Sequence, residues 1–128
     1  MVSVFLGYHS ELVGSRLAEM LQEMNDCSVA GVVFRSDALI EELDKCTPDV
    51  ALLDMRILHD ARVFDFAGLR LRYPSVRFIL MYDYPFTRFS RECLRFGAEY
   101  CFDTLHEFPC LGNIITRFGA PHAVADAR

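Results

Sequence analysis

The stretch from Pro48 to Asp54, PDVALLD, decides the fold of this chain. Its apolar run, Val50–Leu53, is short and contains no polar residue, which is typical of a strand buried on both faces of a parallel sheet. Asp54 ends the run, and ligands of open parallel sheets bind outside the carboxyl ends of the strands. The acid is therefore either a functional group, or a solvated strand end or the N-cap of the next segment.

Four further apolar runs resemble this strand, and helical patterns lie between them. The five predicted strands are Val2–Leu6, Ser28–Val33, Val50–Leu53, Val76–Met81 and Tyr100–Phe102. Alternating strands and helices predict an α/β fold, a doubly wound five-stranded parallel sheet of the flavodoxin-like (βα)5 type with helices on both faces.

Helix ends are marked by capping and helix-stopping residues. Ser36 is a predicted N-cap of the second helix, Pro74 stops the third, and Gly97 is a predicted left-handed terminator of the fourth. The interior stripe of the fourth helix is predicted from helical spacing: Phe86, Phe89, Cys93 and Phe96. Apolar residues from Leu111 to Phe118 predict the fifth helix, with Pro109 in its first turn.

Length and composition predict one domain, residues 1–118, followed by a disordered tail, residues 119–128, too short for an output module. A net charge of −5 argues against nucleic-acid or anionic-membrane partners. No apolar run approaches the ~20 residues needed to cross a bilayer. The first residues carry no export signal, which predicts a cytoplasmic protein.

The residues that could carry enzyme chemistry are scattered. Five cysteines without a C-x-x-C pair predict buried, reduced thiols rather than a zinc site: Cys27, Cys46, Cys93, Cys101 and Cys110. Three histidines lie in or near loops on the strand-tip side, and the fourth lies in the tail: His9, His59, His106 and His122. The chain has no Gly-rich phosphate loop and no G-x-S-x-G elbow, so we do not expect an enzyme.

Two segments carry a family resemblance. Residues 48–55, PDVALLDM, resemble the phosphoacceptor strand of response-regulator receivers. Residues 97–108, GAEYCFDTLHEF, are similar to the segment that ends in Phe-Asp-Lys in receivers usually followed by a helix-turn-helix domain. The resemblance spans residues 2 to about 118 and implies a receiver fold, with Asp54 at the phosphoacceptor position.

The same register exposes departures from the receiver pattern. Receivers place two acids after the first strand, where this chain has Gly7 and Tyr8. A Ser or Thr at the end of the fourth strand is replaced by Tyr82, and a Lys at the end of the fifth by Thr104. The aromatic switch residue is replaced by Cys101. The resemblance therefore implies a receiver in which Asp54 alone survives.

Magnesium binding is expected to be weak or absent, with no other cofactor, because Mg²⁺ binds where carboxylates and phosphate oxygens converge. Losing one preorganised donor commonly costs about 3 kcal/mol of transition-state stabilisation, and several are lost here. His9 and Arg56 could supply positive charge, and Tyr82 and Thr104 a hydroxyl. The interpretation favoured here is that Tyr8 and Tyr82 fill the vacated pocket and hydrogen-bond Asp54.

Two functions remain. The first is a pseudo-receiver that binds a protein partner, or a second copy of itself, through the fourth helix, fifth strand and fifth helix, including parts of Phe86–Phe96 and Phe108–Phe118. The alternative is a phosphorelay receiver of two-component signalling that accepts phosphate at Asp54 from a histidine kinase. Phosphorylation that disappears in Asp54→Asn would favour the alternative.

Overall fold

The computed structural model describes residues 1–60, 66–82, 87–103 and 111–119. The elements in chain order are β1 (Val2–Gly7), α1 (Glu11–Glu23), β2 (Cys27–Val33), a 3₁₀ turn (Ser36–Ala38), α2 (Leu39–Asp44), β3 (Val50–Asp54), α3 (Met55–Asp60), α4 (Phe66–Arg72), β4 (Arg77–Tyr82), α5 (Thr87–Arg95), β5 (Tyr100–Asp103) and α6 (Leu111–Gly119). Several residues named above lie outside the described residues: Phe86, Thr104, His106, Phe108, Pro109, Cys110 and His122.

The five strands form one parallel sheet in the order β2-β1-β3-β4-β5. This order confirms the predicted doubly wound sheet, since β2 lies on one side of β1 and β3, β4 and β5 follow on the other, so that the connection from β2 to β3 passes across β1. β3 is buried at every residue, as its unbroken apolar run predicted. Among the described residues no helix is long and apolar enough to span a membrane.

Side chains that alternate along the strands form two apolar layers, one on each face of the sheet. On one face, strand residues such as Leu6 and Leu52 pack with Leu17 of α1 and Ile115 of α6. On the other face the layer continues into α2, α3, α4 and α5, and includes Phe5, Leu53, Phe78, Leu39, Ile57, Leu69 and Cys93. The sheet is therefore covered on both sides, and its strand tips form one edge.

Helix ends differ in part from the predictions. Gly97 has the predicted positive φ, +117°, just after α5, and Pro74 follows the end of α4. The predicted N-cap at Ser36 is wrong, because Ser36 lies inside a 3₁₀ turn and Ala38 precedes α2. The predicted position of Phe96 on the inner face of this helix is also wrong, since Phe96 lies beyond the end of α5 and is half exposed.

Helix α3 was not predicted, and it changes the site. The chain passes from β3 into α3 without an intervening loop, so that Asp54 is the last strand residue and Met55 the first helical one. Met55, Ile57 and Leu58 are all buried, which explains why the helix packs against the sheet immediately. The tip of β3 is therefore also the beginning of a helix.

Candidate functional site

The register between β1 and β3 brings two strand ends together. Gly7, the last residue of β1, pairs with Leu53 of β3, so that the residues after Gly7 lie beside Asp54. His9 is the second residue beyond the end of β1. Because both strands run in the same direction, their carboxyl ends meet at one edge, where a functional site of this fold is expected.

Asp54 is the one buried polar or charged residue among those described, with 5% of its surface exposed. Its Oδ2 accepts a hydrogen bond from the backbone N–H of His9 at 2.6 Å and lies 2.7 Å from His9 Nδ1. Its Oδ1 accepts the backbone N–H of Ile57 at 2.7 Å. Both carboxylate oxygens are thus satisfied, as a buried charge requires.

The bond from Ile57 makes Asp54 the N-cap of α3. A carboxylate at this position satisfies one of the unpaired N–H groups of the first turn and lies at the positive end of the helix dipole. Asp54 therefore caps α3, which is one of the two structural roles that the sequence left open for it. The same side chain also ties β1 to β3 through His9.

The imidazole of His9 is held in one orientation. Because both oxygens of Asp54 already accept backbone N–H groups, the carboxylate is the acceptor in its contact with the ring, and Nδ1 donates. The ring of Tyr8 stacks on that of His9, with centroids 4.9 Å apart and planes at 24°. The side chain of His9 is nevertheless 40% exposed.

The two positions that hold acids in receivers are built differently here. A Cβ on Gly7 would lie 2.8 Å from Leu53 Cδ2 and 3.4 Å from Val33 Cγ2, inside the core layer. The chain therefore leaves no room for a side chain at Gly7 unless Leu53 shifts. Tyr8 packs against the layer that contains α1 and α6. Neither position contributes a carboxylate beside Asp54.

The remaining candidates that the structure describes are Tyr82, Cys101 and Arg56. Tyr82 and Cys101 pack against the layer on the opposite face of the sheet from Tyr8. Arg56 is exposed in the first turn of α3. Thr104 lies outside the described residues. The hydrogen bonds to Asp54 that the structure shows come from His9 and Ile57, and those expected from Tyr8 and Tyr82 stay a prediction.

The donor set does not fit Mg²⁺. This ion prefers several oxygen ligands in octahedral geometry, whereas the adjoining tips of β1 and β3 offer one carboxylate, that of Asp54, whose oxygens already accept three N–H donors. Within the described part of the chain, no group of three or more His, Cys, Asp or Glu residues could hold a metal ion. The poor fit to Mg²⁺ comes from the residue types, because two positions that hold carboxylates in receivers hold Gly7 and Tyr8 in this chain.

Comparison with known proteins places the fold. No protein-family model matches the chain, and no curated protein matches it. A DNA-binding response regulator of the LuxR family from Staphylococcus aureus is similar in structure, with a TM-score of 0.77, 8% identity, and coverage of 94% of this chain and 100% of that one. The response regulator domain of Thermotoga maritima CheB gives a TM-score of 0.74 and 18% identity over 92% of this chain and 96% of that one.

A third similar structure is the isolated receiver domain of RcsB from Salmonella enterica serovar Typhimurium, solved in the presence of the phosphomimetic BeF3⁻. Its TM-score is 0.72 at 16% identity, over 98% of this chain and 96% of that one. At these identities the comparisons establish the fold alone. The chain has the receiver fold of response regulators, as the two sequence segments implied.

Proposed function

We propose that this receiver-fold chain is a signalling module that acts by binding a protein partner, without Mg²⁺-dependent phosphoryl transfer to Asp54. The observation that carries the proposal is the occupation of both Asp54 oxygens by protein donors. In this proposal the aspartate is a structural residue that joins β1, β3 and α3. The module is a binding domain rather than an enzyme.

Phosphorylation of Asp54 would require one oxygen to leave its donors and attack phosphorus. Hydrogen bonds to charged groups contribute about 1.5–3 kcal/mol each, so their loss adds to the barrier before any chemistry begins. Without clustered carboxylates there is also little to attract a cation that would neutralise the transferred group. Both effects lower the rate at which Asp54 would accept a phosphoryl group.

The partner surface that we favour includes α5. Arg88, Arg91 and Arg95 are exposed at helical spacing, with Leu94 and the half-exposed Phe96 beside them. The guanidinium of Arg95 lies 6.0 Å from the centre of the Phe96 ring, within the range of a cation–π contact. In a chain of net charge −5, this cationic row favours an acidic partner surface, including that of a second copy.

Amide NMR tests whether Asp54 is an acceptor site. We expect the backbone N–H signals of His9 and Ile57, which report directly on the two Asp54 oxygens, to stay in place under millimolar MgCl2 and then BeF3⁻. The control is Asp54→Asn, which shows how these signals respond when the carboxylate is lost. Saturable shifts of both signals in the wild-type protein that vanish in the variant would contradict the proposal.

Oligomeric state tests the α5 surface. If a second copy binds there, light scattering at low salt should give a mass above that of the monomer, falling toward it in about 0.5 M salt, where the Debye length is only a few ångströms. Substituting Arg88, Arg91 and Arg95 by Gln should remove the association, while Asp54→Asn should leave it unchanged. Association that depends on Asp54 and not on the arginines would place the regulatory site back at the strand tips.

A further inference from the structure

An open cleft of about 290 Å³ lies beside His9. It is lined by His9, Phe34, Arg35, Ser36, Asp37 and Ile57. At roughly 30 Å³ per molecule in the liquid, this volume corresponds to about ten waters, which leaves room for a phosphoryl group. The cleft therefore offers a reagent access to the imidazole without opening the fold.

The two ring nitrogens of His9 have different surroundings. Nδ1 is 2.7 Å from Oδ2 of Asp54, whose side chain is 7% exposed, and it donates a hydrogen bond to that carboxylate. A proton fixed on Nδ1 leaves the lone pair of the neutral ring on Nε2, the nitrogen on the far side. His9 thus has the form of an activated imidazole nucleophile.

We infer that His9 Nε2, not Asp54, is the phosphoryl acceptor of this molecule, and that the donor class is a phosphoramidate, a compound with a phosphorus–nitrogen bond. The inference does not depend on the partner proposed above. It assigns Asp54 a new role as the positioning residue of a nucleophile. The acceptor atom is then a nitrogen that faces the cleft rather than an oxygen that faces the protein.

The step balances without a metal ion or an oxidant. The Nε2 lone pair attacks the phosphorus of the N-protonated donor, a new N–P bond forms, and the P–N bond of the donor breaks, so that neutral ammonia leaves with the bonding electron pair. The ring keeps its Nδ1 proton and becomes a phosphorylated imidazolium, whose positive charge faces the Asp54 carboxylate at hydrogen-bond distance. This ion pair stabilises charge that develops during the reaction, which is where electrostatic stabilisation has most effect.

Charges at the mouth of the cleft modify the reaction. Arg35 binds Asp37 through two hydrogen bonds, Nε to Oδ1 at 3.1 Å and Nη2 to Oδ2 at 2.6 Å, and both side chains are largely exposed. The guanidinium attracts the doubly negative phosphoryl oxygens, whereas the carboxylate repels them. The hydroxyl of Ser36 lies on the same wall and could donate to a phosphoryl oxygen.

Potassium phosphoramidate is the probe, applied at pH 8, where an ordinary imidazole is neutral. We expect one phosphoryl group by intact mass, located on His9 by peptide fragmentation of the wild-type protein, and stable in alkali, in which an acyl phosphate on Asp54 would hydrolyse. His9→Gln, whose amide can still donate to Asp54, should lose the modification. His59→Gln, which removes an exposed histidine of α3, should retain it and is the matched control.

The modification rates of further variants identify the side chains that assist the reaction at His9. Asp54→Asn should slow the modification roughly tenfold, the lower end of the effect of losing the carboxylate partner of a metal-ligating histidine. Arg35→Gln should slow it and Asp37→Asn should speed it, each by about two- to threefold, as expected for exposed charges. The inference is overturned if His9 reacts no faster than His59, or if the phosphoryl group is alkali-labile and persists in His9→Gln.

Discussion

Asp54 is a buried carboxylate at the tip of β3. In a pocket of clustered carboxylates, mutual repulsion makes each acid costly to the folded state. Here the described neighbours of Asp54 are N–H donors, from the backbone of His9 and Ile57 and from the imidazole. Asp54 therefore stabilises the folded state, whereas an acid within such a cluster destabilises it.

Asp54→Ala should accordingly destabilise the fold by about 2–3 kcal/mol, because it removes an N-cap and leaves buried N–H groups without an acceptor. The measurement is urea unfolding, read as a lower midpoint at an unchanged slope. Asp37→Ala is the control, since its carboxylate is exposed on the same side of the molecule and should have a smaller effect. A variant as stable as the wild type would show that the Asp54 contacts contribute nothing.

The close packing around Gly7 leads to a second prediction about a single residue. Gly7→Ala should cost about 1–3 kcal/mol of unfolding free energy, since the new methyl group would overlap Leu53 in the core. In a Leu53→Ala background the same substitution should cost much less, and the double-mutant cycle measures the difference. Equal costs in both backgrounds would mean that the glycine is required for another reason.

At the scale of elements, α2 and α4 are joined by a polar tether. Arg72 Nη2 donates to Asp44 Oδ2 at 2.7 Å, the hydroxyl of Tyr73 donates to Asp44 Oδ1 at 2.6 Å, and Arg72 Nε donates to that hydroxyl at 3.1 Å. The hydrogen bond from Arg72, and then that from Tyr73, lowers the pKa of Asp44. The tether links the end of α2 to residues at and just after the end of α4.

A lowered carboxyl pKa gives stability that is present above the pKa of the unfolded chain and is lost as the pH falls through the folded value. Wild-type protein and Asp44→Asn should therefore differ in urea midpoint at neutral pH and converge below about pH 4, the ordinary range for Asp. The difference should be small and salt-sensitive, because the partners are about half exposed. In an Arg72→Gln background it should shrink further, and a gap that widens in acid would contradict the assignment.

The elements were largely predictable, and the exceptions have physical causes. All five strands follow from apolar runs, since a parallel sheet buried on both faces needs them. Helix α3 was missed because a strand that turns directly into a helix leaves no polar break in the pattern. The signal that could have found it is Asp54 itself, an N-capping residue followed by buried Met55, Ile57 and Leu58.

The site was predicted less completely than the fold. His9 was recognised as a source of positive charge, but not as the partner of Asp54. The parallel register of β1 and β3 alone would have placed it there, two residues past Gly7. The choice of His9 over Tyr8 and Tyr82 depends on which face of the sheet each side chain packs against, and the two tyrosines lie on opposite faces.

The whole molecule is a two-faced sheet whose thiols are buried at different depths. Burial raises the pKa of Cys93 to about 12, with a smaller effect of Glu92, and burial also raises that of Cys101 to about 12, with Cys93 adding to it. At pH 8 such a thiol is ionised in about one molecule in ten thousand. Because the thiolate is the nucleophile, both residues should be nearly inert in the folded protein.

Alkylation therefore measures the opening of the whole fold. At pH 8 iodoacetamide should modify the partly exposed Cys46 first, and the buried Cys27 and Cys93 only at the rate at which the two faces of the sheet open. Sub-denaturing urea should accelerate Cys27 and Cys93 together, while Cys46 changes little, as read by peptide mapping. Asp54→Ala should accelerate the same pair by about the factor that its loss of stability implies, tenfold for each 1.4 kcal/mol. If Cys27 reacted early and Cys93 late, or the reverse, the two faces of the sheet would not form one cooperative unit.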